Sequence, residues 1–488
     1  MRLTALIALL TATALAGCAT RPVNPPLTLA DPTTGYRLET RENKVFDDQN
    51  IVILAFSGGG TRAAAFSYGV LEFLARTEVK GPRGAPVRLL DEVAVITGVS
   101  GGSFTALAYG LYGDKLFTEY ETRFLKRNVQ GEITKRTLNP LNWPRLWSTG
   151  YGRSELASEL YDEILFNNAT FGDLQRRKGP LIVASATDIS SGSRFIFTQS
   201  TFDIICSDLS AVRLSRAAAA SSAVPVVLTP VTLNNYGGSC QRTPPAWVTK
   251  FTESDEPPRP AARAIRALRA QEGMARGAER PFLHLVDGGV SDNVGMRGVL
   301  DALEVSEALQ DSGMPTPIGS ARRIIVLIVN SLSVPKTDWD KSESGPGPAS
   351  VLLKSAGVPI DHYSYEAIEL LKDTAARWKT MRTLSRAAAA AGVTDPSFKR
   401  ALLAPQAEVY AIDVSFAQLK DKAELEYLNE QPTSFVLTDE AVDRLRAAAG
   451  AIIEASPDFQ RLLKDVGARV IKAPVAPAST AAGRQERR

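Results

Sequence analysis

Two β-branched apolar runs, each ending in a cluster of glycines and continuing as a helical pattern, constrain this chain more than any other feature. The first is IVILAFSGGGTR, residues 51–62, and the second is VAVITGVSGGSF, residues 93–104. A strand that stops at a glycine-rich turn leaves backbone N–H groups unpaired. The helix that follows adds its own free N–H groups and the positive end of its dipole. Such a corner can hold a phosphate or the oxyanion of an acyl-transfer intermediate. Further apolar blocks read as strands at 180–187, 193–198, 282–286, 323–329 and 407–413. Helical patterns follow several of them; in FSYGVLEFL, residues Phe66, Val70, Leu71 and Leu74 share one face. Near-continuous Val/Ile/Leu strands alternating with helices predict an α/β domain on a mainly parallel central sheet. Residues 188–193 read as a hairpin connection between two of the strands.

At 488 residues and 44% hydrophobic, the chain can bury a substantial core. A net charge of +3 is too small to argue for nucleic acid, so attraction to anionic lipid would have to come from local clusters. Residues 1–17 read as a signal peptide, with Arg2 before the apolar core LTALIALLTATALA. Leu15-Ala16-Gly17-Cys18 is similar to a bacterial lipobox, which implies cleavage before Cys18 and acylation of that residue, a stable anchor. Ala19, where Asp would signal inner-membrane retention in enteric bacteria, favours the outer membrane of a bacterial envelope. Residues 18–47 read as a tether, 48–332 as the main domain and 333–466 as a mostly helical C-terminal extension that adds a strand candidate. Within the domain, 241–280 is a Pro- and Arg-rich surface insertion with a basic helical pattern, and 467–488 reads as a disordered tail. Cys206 and Cys240, in an exported chain, lean towards a disulfide, with two buried thiols as the alternative. No Cys/His cluster has metal-ligand spacing, so neither a metal nor another cofactor is expected.

Gly98-Val99-Ser100-Gly101-Gly102 carries the G-x-S-x-G pattern. The string alone is weak, since roughly one chain in six of this size would carry it by chance. Its position is restrictive: it follows VAVIT and precedes SFTALAYGLYG, the strand–turn–helix setting that lifts a serine hydroxyl out of a sheet. A nucleophilic serine needs a base, and the chain has only His284 and His362. His284 lies three residues before Asp287 on one strand, which puts the two side chains on opposite faces. His362 would have to reach in from a distant segment. Asp287, at the carboxyl end of FLHLV and before Gly288-Gly289, is the better base, although Asp-Gly is also a common turn former.

In order and spacing, Ser57-Gly58-Gly59-Gly60-Thr61-Arg62, the Ser100 turn and Asp287-Gly288-Gly289 together resemble the patatin-like phospholipase family. The small-residue run 217–225, AAAASSAVP, echoes a further signature. The resemblance covers about 48–300 and implies a three-layer patatin-like α/β fold and a lipid acyl hydrolase without catalytic histidine. Carried onto this sequence, it makes Ser100 the nucleophile and Asp287 its base. Backbone N–H groups of Gly58, Gly59 and Gly60 form the oxyanion hole. Arg62 braces the loop, attracts a phosphate head group or forms a structural salt bridge; Asn293 is placed to cap the next helix. Ser57 and Ala63 depart from the family pattern, where Asp and Gly are frequent. The implied partner is a membrane lipid, phospholipid or lysophospholipid. Acyl transfer by the same serine, and a non-catalytic scaffold lipoprotein of this fold, are the alternatives. A nucleotide-binding enzyme is disfavoured because no G-x-x-x-x-G-K-[ST] string exists. Residues 351–390 place Ile360, Ile368, Leu371 and Trp378 among charges, which fits either sheet-packing helices or a membrane-contacting lid.

Overall fold

The computed structural model describes residues 21–41, 50–80, 86–314, 316, 321–401 and 405–471. Cys18 and the signal segment lie outside the described residues, as do residues 472–488 of the tail.

All seven predicted strands form. They are β1 (Asn50–Phe56), β4 (Val93–Val99), β5 (Leu181–Asp188), β6 (Ser193–Ile196), β8 (Phe282–Asp287), β9 (Arg323–Asn330) and β10 (Glu408–Ser415). Sequence reading missed the short β2 (Thr77–Lys80), β3 (Pro86–Arg88), β7 (Val231–Asn234) and β11 (Arg469–Val470). The main sheet has eight strands in the order β10-β9-β1-β4-β5-β8-β7, with β6 also paired to β5. The run from β10 to β5 is parallel. From β5 onward the pairing is antiparallel, including the predicted 188–193 hairpin.

Strand alternation sorts the core into two layers of helices around the sheet. Val52, Leu54, Phe56, Ile325 and Leu327 face one side. There they meet α1 (Gly60–Ala75), α2 (Gly101–Tyr112) and α7 (Asp439–Ala455). Ala55, Ile324, Val326, Val409 and Ala411 face the other side. That side is covered by α5 (Arg297–Asp311) and α6 (Pro348–Ala390). On the first side, α3 (Leu214–Ser221) packs under β5 and β8. The fold is therefore an α/β three-layer sandwich on a mainly parallel sheet.

Helix α6 decides between the two readings of 351–390 over its middle turns only. Ile368, Leu371 and Trp378 are buried against β9 and β10, so this stretch of α6 is a sheet-packing helix. In the 241–280 segment, α4 (Ala262–Glu272) rests on the outside of α5: Ala261, Ile265 and Phe251 cluster with Ala308 and Leu309. Arg263 pairs with Glu304. The chain 333–466 contributes edge strand β10, α7 and α8 (Pro457–Val466).

Two sequence expectations are corrected. Residues 21–41 pack on the domain instead of hanging as a tether. Tyr36 is buried and its hydroxyl accepts the Ile182 N–H at 2.7 Å, while Arg37 pairs with buried Asp203 at 2.8 Å. The Pro- and Thr-rich composition hid one aromatic anchor and one charged anchor. The 467–488 tail begins ordered: Arg469 and Val470 pair with Glu78 and Thr77 as strand β11. Cys206 and Cys240 are joined as a disulfide with Cα atoms 5.5 Å apart. Among the described residues no helix is long and apolar enough to cross a membrane.

Candidate active site

Ser100 sits between β4 and α2 with φ 47° and ψ −120°. A left-handed φ is uncommon for any residue with a Cβ, and here it aims the hydroxyl away from the sheet. The glycines around it are required by close backbone approach. A Cβ on Gly98 would lie 2.7 Å from Ser103 Cα, and one on Gly101 would lie 1.9 Å from the Gly60 carbonyl oxygen. The second value shows that the first turns of α1 and α2 abut. Two helix N-termini, each with unpaired N–H groups and a partial positive charge, thus converge beside Ser100.

The Ser100 hydroxyl donates to Asp287 Oδ2 at 2.9 Å. The other carboxylate oxygen, Oδ1, accepts the Gly289 N–H at 2.7 Å, which fixes the rotation of the group. Both side chains are buried. Burial pushes the Asp287 pKa up from 3.8 to about 6, and the Gly289 N–H and the Ser100 hydroxyl pull it back only in part. A carboxylate so placed is ionised at neutral pH yet is a stronger base than an exposed one.

The small-residue run that sequence analysis noted supplies an unforeseen clamp. Ser221 Oγ accepts the Ser100 N–H at 2.8 Å, and the Ser221 carbonyl accepts the Gly288 N–H at 3.0 Å. Asp287 N–H donates to the Ala223 carbonyl at 3.0 Å. One turn at the end of α3 therefore grips both partners of the pair. No sequence signal singled out Ser221 from its neighbours.

The glycine loop needs one correction. Gly58 packs against Ser100, since a Cβ there would lie 3.3 Å from Ser100 Cβ, but its N–H donates to the Asn293 carbonyl at 2.9 Å. That leaves Gly59 and Gly60, whose N–H groups have no protein acceptor among the described residues. They hold φ angles of 139° and 61°, which favour glycine. The loop is braced from behind by Ser57, whose Oγ accepts the Ser331 N–H at 2.9 Å. The Ser331 hydroxyl in turn donates to the Gly58 carbonyl at 3.1 Å. A short polar pair thus stands where the family pattern favours Asp.

Arg62 is a brace and forms no salt bridge among the described residues. Its buried guanidinium donates to the Ser331 carbonyl at 2.8 Å, the Gln431 carbonyl at 2.6 Å and Thr433 Oγ1 at 3.1 Å. Burial lowers its pKa to about 10, with Asp361 opposing the shift. Segment 431–434 also accepts the Thr61 N–H through the Ser434 carbonyl at 2.8 Å, so the C-terminal extension locks the loop. Asn293 is not a cap. Its Oδ1 packs against Gly58 and Gly289, where added Cβ atoms would lie 2.5 and 2.9 Å from it, and Asp292 instead accepts the Met296 and Arg297 N–H groups at 3.1 and 3.0 Å. His284 is exposed and pairs with Thr232 Oγ1 at 3.0 Å, and His362 is exposed within α6, not at its start. Neither is hydrogen-bonded to Ser100. Among the described residues no group of three His, Cys, Asp or Glu side chains is arranged to hold a metal ion.

No curated protein matches the chain. Solved structures similar to it include human GIVD cytosolic phospholipase A2, in complex with methyl gamma-linolenyl fluorophosphonate and terbium chloride. The identity is 12% and the TM-score 0.38, over 86% of this chain and 59% of that one. The uncomplexed human enzyme gives 12%, 0.38, 86% and 63%. The type III effector protein ExoU gives 13% and 0.20, over 85% of this chain and 75% of that one. The chain thus spans about three fifths of the human phospholipase chain it matches. The sequence profile described as Patatin-like phospholipase matches residues 54–300, from β1 through the Ser100 turn and Asp287 into α5. That is more than half of its length, and the chain belongs to the patatin-like phospholipase family.

Proposed function

We propose that this protein is a serine-dependent lipid acyl hydrolase that cleaves carboxylic esters of phospholipids or lysophospholipids through a Ser100–Asp287 dyad. The observation that carries the reading is the 2.9 Å hydrogen bond from the Ser100 hydroxyl to a carboxylate whose other oxygen is pinned by Gly289. As Oγ attacks the ester carbonyl carbon, its proton passes to Asp287 Oδ2. The carbonyl oxygen becomes an oxyanion facing the N–H groups of Gly59 and Gly60 at the start of α1. Each such donor is worth about 3–4 kcal/mol of transition-state stabilisation. Collapse of the tetrahedral intermediate breaks the bond to the alcohol, which leaves with the proton held by Asp287. Water then attacks the acyl-serine, gives its proton to Asp287, and releases the fatty acid. Ser100 regains its proton at the end of the cycle.

The test is labelling with a fluorophosphonate, followed by product analysis on phospholipid and lysophospholipid panels. Wild-type protein should be labelled and release fatty acid, and Ser100→Ala should do neither. Unlabelled wild-type protein would favour the scaffold reading, and acyl esters formed on an added alcohol would favour acyl transfer. We further propose that Cys18 is the acylated N-terminus and holds the protein at the outer membrane, on the strength of the Leu15-to-Cys18 motif. Mass spectrometry of the mature protein tests this, and an unmodified Cys18 would exclude it.

A further inference from the structure

Exposed large apolar side chains scattered singly need no explanation, but contiguous ones do. Among the described residues the three most exposed of them, Leu141, Trp147 and Val226, lie in two segments. The first runs from the end of helix Val129–Leu138 through the short helix Trp143–Leu146, and exposes Leu138, Leu141, Trp143 and Trp147. Leu141 is 83% exposed and Trp147 80%. The two indole rings sit 6.1 Å apart, so they present a joint aromatic surface. The second is the tip Val226–Val227, where Val226 is 71% exposed at φ 73°, an outlier for a β-branched residue.

The helix Arg153–Tyr161 bridges the two segments, since Arg145 pairs with its Glu159 and its first turn binds the tip. Arg153 donates to the Val226 carbonyl at 2.9 Å, and the Ser154 N–H donates to Thr229 Oγ1 at 3.2 Å. Three residues before Val226, the Ala223 carbonyl accepts the Asp287 N–H. At 3.8 Å per residue this keeps the tip within about 11 Å of that anchor. The flanks are basic. Arg136 and Arg145 are neutralised by Glu163 and Glu159, whereas Lys135 and Arg153 form no ion pair among the described residues. Exposed tryptophans and leucines beside cations that have no ion pair among the described residues match the chemistry of a bilayer interface with anionic head groups.

We propose that residues 138–147 and the Val226–Val227 tip form a membrane-docking face that seats the protein on an anionic bilayer with the Ser100 site towards the lipid. The sense of this orientation rests on the hydrolase reading; the docking itself does not. The face is distinct from α6, which buries Ile368, Leu371 and Trp378 against the sheet and exposes Val358, Tyr363 and Tyr365 elsewhere along its length.

The test uses full-length protein carrying Cys18→Ser and exported through an ordinary cleavable signal, so that an acyl anchor does not mask the effect. Binding is measured by co-sedimentation with phosphatidylglycerol/phosphatidylethanolamine vesicles. Leu141→Ser with Trp147→Ser should weaken partitioning at least about tenfold. Turnover of a short-chain, water-soluble ester should stay within about twofold, since neither residue touches the Ser100 site. Independently, brominated phospholipid should quench the tryptophan emission of the parent, and Trp147→Phe should lose much of that quenching. Unchanged partitioning in the double variant, or no quenching in the parent, overturns the docking face. A parent protein that binds vesicles through this face yet never turns over the soluble ester overturns the hydrolase reading and leaves the docking face standing.

Discussion

Replacing Asp287 by Asn tests function and stability through one hydrogen-bond pattern. In the native site Gly289 N–H donates to Oδ1 and Ser100 Oγ donates to Oδ2. An amide at this position must put its carbonyl oxygen against Gly289, so its NH2 group faces Ser100. A donor then stands where the reaction needs a proton acceptor. General-base catalysis contributes about 10²–10⁴-fold, so kcat on a soluble ester should fall towards the upper end, about 5 kcal/mol of barrier. Stability should move the other way. The buried carboxyl binds its proton more tightly when folded, with a pKa of about 6 against 3.8. Between those values the folded state holds more protons than the unfolded state, so native stability falls as pH rises through that window. The cost of keeping the carboxylate ionised approaches about 3 kcal/mol above pH 7, at about 1.4 kcal/mol per pH unit, and is about half that at pH 5. Asp287→Asn removes this cost. Urea denaturation should therefore find the variant more stable than wild type at pH 8, by up to that order, with a smaller gain at pH 5. Near-normal turnover would refute the base assignment. A variant no more stable at pH 8 than at pH 5, relative to wild type, would refute the burial argument.

The same carboxylate predicts that wild-type kcat/KM on a soluble ester falls about tenfold per pH unit below about 6, as Asp287 takes up a proton before the serine can use it; a rate flat down to pH 4.5 would contradict this. His284→Gln and His362→Gln, measured separately, should each keep at least about a tenth of wild-type activity, a loss of no more than about 1.4 kcal/mol. A thousandfold loss at His362 in a folded protein would instead support a triad reaching in from α6. Gly101→Ala would place a methyl group 1.9 Å from the Gly60 carbonyl oxygen, so α1 and α2 must separate. Overpacking of this kind costs about 1–3 kcal/mol of stability. Because Gly60 carries a proposed oxyanion donor, activity should fall by about a hundredfold or more as well. Full activity with an unchanged urea midpoint would show that the close approach is not needed.

The sequence by itself determined what short-range backbone physics dictates. Continuous Val/Ile/Leu runs bounded by glycine can only be buried strands feeding tight turns, so the sheet, the Ser100 turn and the position of Asp287 at a strand end were all legible. Both side chains are placed by their own strands, and their ends meet across β5: β4 runs parallel to it with Val99 opposite Ser185, while β8 runs back antiparallel with Asp287 opposite Ala186. The tertiary structure alone decided which polar groups are consumed and which are left free. Arg62 meets the Gln431 carbonyl across 369 positions, and Ser221 meets Ser100 across 121. No local pattern encodes such partners, because they depend on which segments the packed helices carry to the loop. For the same reason the Gly58 N–H looked available until the Asn293 carbonyl was found against it. Residues 21–41 looked like a tether until Tyr36 and Arg37 found buried partners. Exposure is the least local property of all. Leu371 and Trp147 are both large apolar residues in helical patterns, yet the sheet buries the first and nothing in the fold covers the second.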